Sequence, residues 1–117
     1  MGQFSTKKFK KDDIVGFRYM NDDYPFYKKG ESFIKYIACM EGDELVIENN
    51  QVNCNGKYLG SQIKQDSKGN ILPQFSFNGK IPKDKFFMWT PFVKSYDSRY
   101  WGFVDRNDIL GKSIWKY

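Results

Sequence analysis

Histidine is missing from all 117 residues. Its absence removes Ser-His-Asp and Cys-His nucleophiles and every histidine-ligated zinc site. Cysteine is scarce: Cys39 and Cys54 cannot supply a structural four-thiolate centre. Long apolar runs are lacking too, the longest being Tyr36 to Met40, so the chain encodes no membrane-spanning helix and no signal-peptide core. Asp22, Asp23 and Glu31 are too sparse and turn-like to suggest a metal site, and no metal or organic cofactor is expected. If this protein hydrolyses a substrate, its base is a lysine or a carboxylate.

What the chain does have is aromatic bulk and a mild positive charge: eleven Phe, eight Tyr, three Trp and a net charge of +5. Its length fits one domain, residues 1–117, with a modest core. The charge permits a nucleic acid or an anionic membrane surface as partner, without requiring either. The pattern is strand-like almost throughout. Short β-branched or aromatic runs occupy 13–19, 32–39, 44–48, 51–55, 85–89 and 99–104, with a closing strand expected at 112–117. Turn residues separate them: Gly42-Asp43, Asn49-Asn50, Asn55-Gly56 and Asn78-Gly79. All four prolines fall between the runs. Only "DRNDILGK" (105–112) suggests a helical turn, capped by Asp105 or Asn107. The stretch 58–80 is polar and turn-rich and reads as a surface insertion. The expected fold class is mostly β, a small irregular antiparallel barrel or sandwich.

One lysine stands out. In "SFIKYIAC" (32–39) strand alternation puts Phe33, Lys35, Ile37 and Cys39 on one face, so Lys35 has apolar neighbours whichever face it takes. It is either an edge lysine that snorkels to water or a desolvated amine with a depressed pKa. A neutral amine can take the proton from a serine hydroxyl.

The residues around it carry a resemblance. "FIKYIACMEGDELVIENNQVNCNGK" (33–57) resembles the lysine box of the type I signal peptidases: a hydrophobic-lysine strand, Gly-Asp, then a hairpin ending in Asn-Gly-Lys. "SYDSRYWGFV" (95–104) with "ILGKSIW" (109–115) is similar to that family's last box. "KKDDIVGF" (10–17) resembles its earlier strand, with Asp12 where glycine is usual. The spacing is most similar to the conjugative-transfer, TraF-type branch, which processes pilin precursors. "WTPFVK" (89–94) replaces the family's usual Gly-Asp-Asn-Arg-Asp-Asn run.

The resemblance implies a fold of the signal-peptidase catalytic-core type and a serine–lysine endopeptidase without cofactors. It makes Lys35 the general base, Ser95 the hydroxyl that orients it, and Asp97 with Arg99 an ion pair that shapes the loop around Ser98. It implies a precursor bound as an added extended strand, an inner-membrane anchor and a catalytic domain facing the periplasm. The nucleophilic serine is not found in the family's motif, although Gly2-Gln3-Phe4 could be the tail that follows it. Ser5 stands on the wrong side of that glycine. The chain is therefore expected to be a soluble fragment, inactive as given, or else a nucleophile-free relative that binds a pilin or coupling protein. "KKFKK" (7–11) reads as a solvated loop or a membrane-surface contact. Cys39 and Cys54 are either two small buried thiols or a disulfide, which an oxidising periplasm permits. A third class, a basic barrel that stacks single-stranded nucleic acid on aromatic platforms, leaves Lys35 and the 95–104 box as coincidence. Nucleic acid is therefore not an expected partner.

Overall fold

The computed structural model describes residues 8–22 and 27–112. Ser5, the Gly2-Gln3-Phe4 tail and all but Lys112 of the expected closing strand lie outside the described residues. Nine strands are described: β1 (Ile14–Arg18), β2 (Ser32–Met40), β3 (Glu44–Glu48), β4 (Gln51–Cys54), β5 (Lys57–Ser61), β6 (Asn78–Lys80), β7 (Lys85–Trp89), β8 (Val104–Asp105) and β9 (Ile109–Lys112). One helical turn, α1 (Ser98–Trp101), lies between β7 and β8. The strands form two antiparallel sheets, β8-β7-β2-β1-β9 and β5-β4-β3-β6. The mostly β expectation holds.

Turn chemistry sets the second sheet. Asn49 and Asn50 both take positive φ, 51° and 63°, between β3 and β4, the backbone that a tight two-residue hairpin requires. Asn55 (φ 51°) and Gly56 (φ 83°) repeat it between β4 and β5. The entry and exit of this hairpin are tied together. The Asp43 carboxylate accepts from Asn55 Nδ2 at 3.0 Å and from the Met40 amide at 3.0 Å, while Asn55 Oδ1 accepts from the Glu44 amide at 2.8 Å. The Gly-Asp and Asn-Gly elements of the lysine box thus share one hydrogen-bond network. The polar stretch 58–80 lends its ends to β5 and β6, the two edges of this sheet. Leu72, in its middle, is buried in the core.

Burial follows the two sheets. Val15, Phe17, Ile37, Phe86 and Met88 form one apolar cluster with Tyr100 and Trp101 of α1. Leu45, Val52, Ile81 and Phe87 form a second, with Ala38 and the cysteines. Strict alternation along β2 fails at one point: the register against β7 shifts between Ile37 and Cys39. This bulge sends Cys39 into the second cluster rather than beside Ile37. There Cys39 is bonded to Cys54 of β4. The pair of separate thiols is thereby excluded. The disulfide joins one sheet to the other across a sequence separation of 15, and closing a loop of that size stabilises the fold by about 3 kcal/mol.

Two local expectations change. Residues 99–104 do not form a strand: Ser98–Trp101 are helical and buried, capped by Asp97, whose side chain accepts from the Arg99 amide. Gly102 ends the turn at φ 94°, and a Cβ there would lie 3.1 Å from the Phe75 ring. The aromatic run is apolar because it is buried, and the local carboxylate cap decides its conformation. The helical turn expected over 105–112 shrinks to a 3-10 turn at Arg106–Asp108, capped by Asp105, after which β9 pairs with β1.

Candidate active site

β2 carries Lys35 with two different flanks. On one side Ser32–Tyr36 pair with β1, Val15 facing Lys35. On the other, β7 pairing begins only at Tyr36, opposite Trp89. Past Trp89 the chain turns away through Thr90 and Pro91, and Pro91 could not donate to a ladder. Among the described residues, the backbone of Ser32–Lys35 has no strand on that side. Lys35 points to the same face as Phe33 and Ile37, half-buried, while Ile34 on the opposite face is 67% exposed.

The amine has a defined partner. Lys35 Nζ donates to Ser95 Oγ at 3.1 Å, across sixty residues of sequence. Burial lowers the Lys35 pKa from its ordinary value near 10.5; the Arg99 guanidinium lowers it further, and the Asp97 carboxylate acts against both. Desolvation penalises the ammonium form and leaves the neutral amine nearer to reach.

Ser95 is held by what lies behind it. Arg99 is 1% exposed. Its Nε and Nη2 donate to the two oxygens of Asp97 at 2.9 and 2.8 Å. The same guanidinium donates to the carbonyls of Phe92 (2.7 Å), Thr90 (3.3 Å) and Ser61 (3.3 Å). It therefore gathers the loop between β7 and α1 from inside. Asp97 also accepts from the Thr90 amide at 3.3 Å. Gly60 makes room for this cation, since a Cβ there would lie 3.0 Å from Arg99 Nη1. Ser98 does not touch the lysine: its hydroxyl accepts from the Met88 amide at 2.7 Å and pins α1 to β7. The structure thus brings Lys35 and Ser95 into contact, with Asp97 and Arg99 behind them and Ser98 farther off in the core. Where "WTPFVK" departs from the family's run, backbone carbonyls of Thr90 and Phe92 supply acceptors that need no particular side chain.

Asp12 occupies the usual glycine position with φ 74°, left-handed backbone that aspartate tolerates better than most side chains. Its amide donates to the Ile37 carbonyl at 2.8 Å, so this turn helps fix the strand that carries Lys35.

A set of tyrosines beside the site is not apparent from sequence. Tyr19 and Tyr96 share a hydroxyl–hydroxyl hydrogen bond at 3.1 Å. Tyr96 stacks on Tyr27 with ring centroids 5.3 Å apart, and on Tyr100 at 5.9 Å. The one sequence signal is that Tyr96 directly follows Ser95. Lys8, Phe9, Lys10 and Lys11 of the basic stretch are described. Lys10 and Lys11 pair with Asp13 and Asp43 across exposed 3.2 and 3.5 Å contacts, of a kind that contributes little. Among the described residues no helix is long and apolar enough to cross a membrane.

The class defined here is a two-sheet β domain that presents a half-buried lysine to a serine hydroxyl beside an open strand edge. Comparison supplies the particular family. The family described as signal peptidase, peptidase S26, matches residues 2–117, and the chain belongs to it. It is 32% identical over 89 residues to the Synechocystis protein named "Probable signal peptidase I-2", covering 74% of this chain and 38% of that one. It is 34% identical over 80 residues to the Sinorhizobium fredii protein named "Probable conjugal transfer protein TraF", covering 67% of this chain and 42% of the other. The crystal structure of a signal peptidase I from Enterococcus faecalis V583 has a similar fold, with TM-score 0.58, 21% identity and coverage of 91% of this chain and 97% of that chain. The chain spans 38–55% of the length of the curated relatives it matches.

Proposed function

We propose that this domain is the lysine-bearing part of a serine endopeptidase that removes leader segments from exported precursors. Lys35 is the general base, Ser95 directs its amine, and the Asp97–Arg99 pair holds the loop that delivers Ser95. The observation that carries the reading is the 3.1 Å contact between a half-buried Lys35 Nζ and Ser95 Oγ, made in a chain that has no histidine to serve as base. In the reaction a serine hydroxyl attacks the scissile carbonyl as its proton passes to Nζ. The protonated amine then gives that proton to the departing amine. Ser95, which accepts from Nζ, takes the orienting role on this reading, and the attacking hydroxyl is supplied from outside the described residues. On this reading the described domain holds substrate and cannot cut it alone.

The precursor lies along the open edge of Ser32–Lys35 as an added strand. Main-chain hydrogen bonds give affinity there, and alternate side chains enter the cavities below. The likeness to the protein named "Probable conjugal transfer protein TraF" favours a role in conjugal transfer, where the resemblance of the sequence boxes implies a pilin precursor as substrate. The reaction faces the periplasm, with the protein anchored in the inner membrane; the disulfide suits an oxidising compartment. The test is cleavage of a precursor by the full-length protein and its Lys35→Ala variant. Loss of about 100-fold or more in kcat/KM with an unchanged melting curve is expected, since a general base supplies on the order of 10²–10⁴ in rate. Equal cleavage by both removes Lys35 from the mechanism.

A further inference from the structure

Two cavities meet at the Lys35–Ser95 contact. One, of about 280 Å³, lies along the open edge and is lined by Phe33, Ile34 and Lys35. The other, of about 290 Å³, lies on the Ser95 side, lined by Ile63, Leu72, Tyr100 and Lys94 together with Ser95. Tyr27 and Tyr96, stacked 5.3 Å apart and within 8° of parallel, belong to the walls of both. They form the partition, and the lysine–serine hydrogen bond bridges the same divide.

That arrangement orders a substrate. A strand laid along Ser32–Lys35 fills the first cavity and brings its scissile bond to Nζ at the end of the edge. The chain beyond that bond continues past Ser95 into the second cavity. We propose that the second cavity is the subsite for the first two residues after the cut, and that it selects a large aliphatic or aromatic side chain there. Resting on the peptidase reading above, this adds a specificity on the product side of the bond.

The chemistry of the lining supports the choice. Its apolar lining is Ile63, Leu72 and the rings of Tyr27, Tyr96 and Tyr100. Two polar members of the lining, Tyr100 and Asp66, are already engaged; Gln65 and Ser67 lie beside them. Tyr100 Oη accepts from the Ile63 amide at 3.0 Å. The Asp66 carboxylate accepts from the amides of Lys68 and Asn70 and from Asn70 Nδ2, each at 2.9 Å. An apolar side chain entering here gains from burial against Ile63, Leu72 and the tyrosine rings. Lys94 is exposed at the rim and makes no ion pair among the described residues. Its charge disfavours lysine or arginine in the same place.

Internally quenched peptides with one fixed leader, carrying Gly, Leu, Phe or Lys at the second position after the cut, test this on the full-length enzyme. Leu and Phe should exceed Gly roughly tenfold in kcat/KM, and Lys should fall below Gly. Ile63→Trp, which fills the cavity, should reverse the Phe-to-Gly ratio. Each ratio is taken within one enzyme, so a partly unfolded preparation does not alter it. Lys94→Glu, a change at an exposed residue, should abolish the discrimination against Lys. A flat panel, or a preference that Ile63→Trp leaves intact, overturns the subsite. So does selectivity that appears only when residues before the cut are varied. If the panel is flat while Lys35→Ala is dead, the peptidase reading stands and the subsite alone fails; if Lys35→Ala cleaves like the parent, that reading has failed.

Discussion

Two cations lie within one loop's reach of each other, and the protein treats them in opposite ways. Arg99 is buried against a carboxylate and several backbone carbonyls. Lys35 is half-buried, and its amine donates to a neutral hydroxyl. Burial lowers the pKa of both; at Arg99 the Asp97 carboxylate more than reverses it, and at Lys35 it does not. The first cation is a structural rivet that stays charged. The second is left able to lose its proton. Distance from Asp97 separates the two outcomes: direct contact for Arg99, only a field for Lys35.

Removing the carboxylate attacks the comparison most directly. Asp97→Ala strips Arg99 of its counter-ion while leaving it in the core, and an uncompensated buried charge costs about 3–5 kcal/mol. The same change removes the cap of α1 and the acceptor for the Thr90 amide. Urea denaturation should show a loss of that size, enough to unfold a domain of marginal stability. A loss below about 1 kcal/mol, the size of an ordinary hydrogen bond, would mean that the carbonyls alone satisfy Arg99. Replacing both partners with apolar residues of similar volume should recover much of the loss, because the pair then leaves no orphan.

Lys35 sharpens the other side of the comparison through pH. Its folded pKa is lowered from 10.5, so at pH values between the folded and unfolded pKa the unfolded chain holds more protons on this group. Stability contributed by this group therefore rises with pH across that window. Below the folded pKa the amine is charged in both states and the full burial penalty applies. Lys35→Met, which fits the same stem between Phe33 and Ile37, should be more stable than the parent at neutral pH. The difference should narrow as the pH approaches the ordinary lysine value of 10.5. A gap that stays constant from neutral pH up to that value would show that the amine titrates as it does in water.

The parts of this comparison differ in how far they can be read from sequence. Lys35 and Ser95 can be paired in the sequence only through the resemblance of their two boxes to those of the signal peptidases; the residues alone leave Lys35 open. Strands β1, β2, β3, β4 and β7 are legible as short β-branched runs bounded by turns. The bulge after Ile37 is not, since alternation continues through Cys39 in the sequence and only the facing β7 register shows the slip. For that reason the cysteines admit two readings until the sheets are in place. α1 reads as strand because an all-buried aromatic turn has no face to show in its pattern. The tyrosine partition is hidden for another cause: Tyr96 is far along the sequence from Tyr27 and meets it only when the loop before α1 docks beside the first sheet.

The smallest expected effect falls on the hydroxyl that receives the Lys35 amine. Ser95→Ala removes the acceptor of the Lys35 amine without touching the Asp97–Arg99 pair. A net hydrogen bond is worth about 0.5–1.5 kcal/mol, so kcat should fall about tenfold or less through loss of direction in the amine. The fold should be unchanged, since Arg99 and the Ser98–Met88 bond still hold the loop. Ser95→Thr keeps an oxygen at the γ position and should restore most of the rate, which a purely space-filling role for Ser95 would not predict. If Ser95→Ala cleaves at the parental rate, the amine is aimed by the packing of Phe33 and Ile37 alone. If instead it is as inactive as Lys35→Ala, Ser95 takes a direct part in the chemistry.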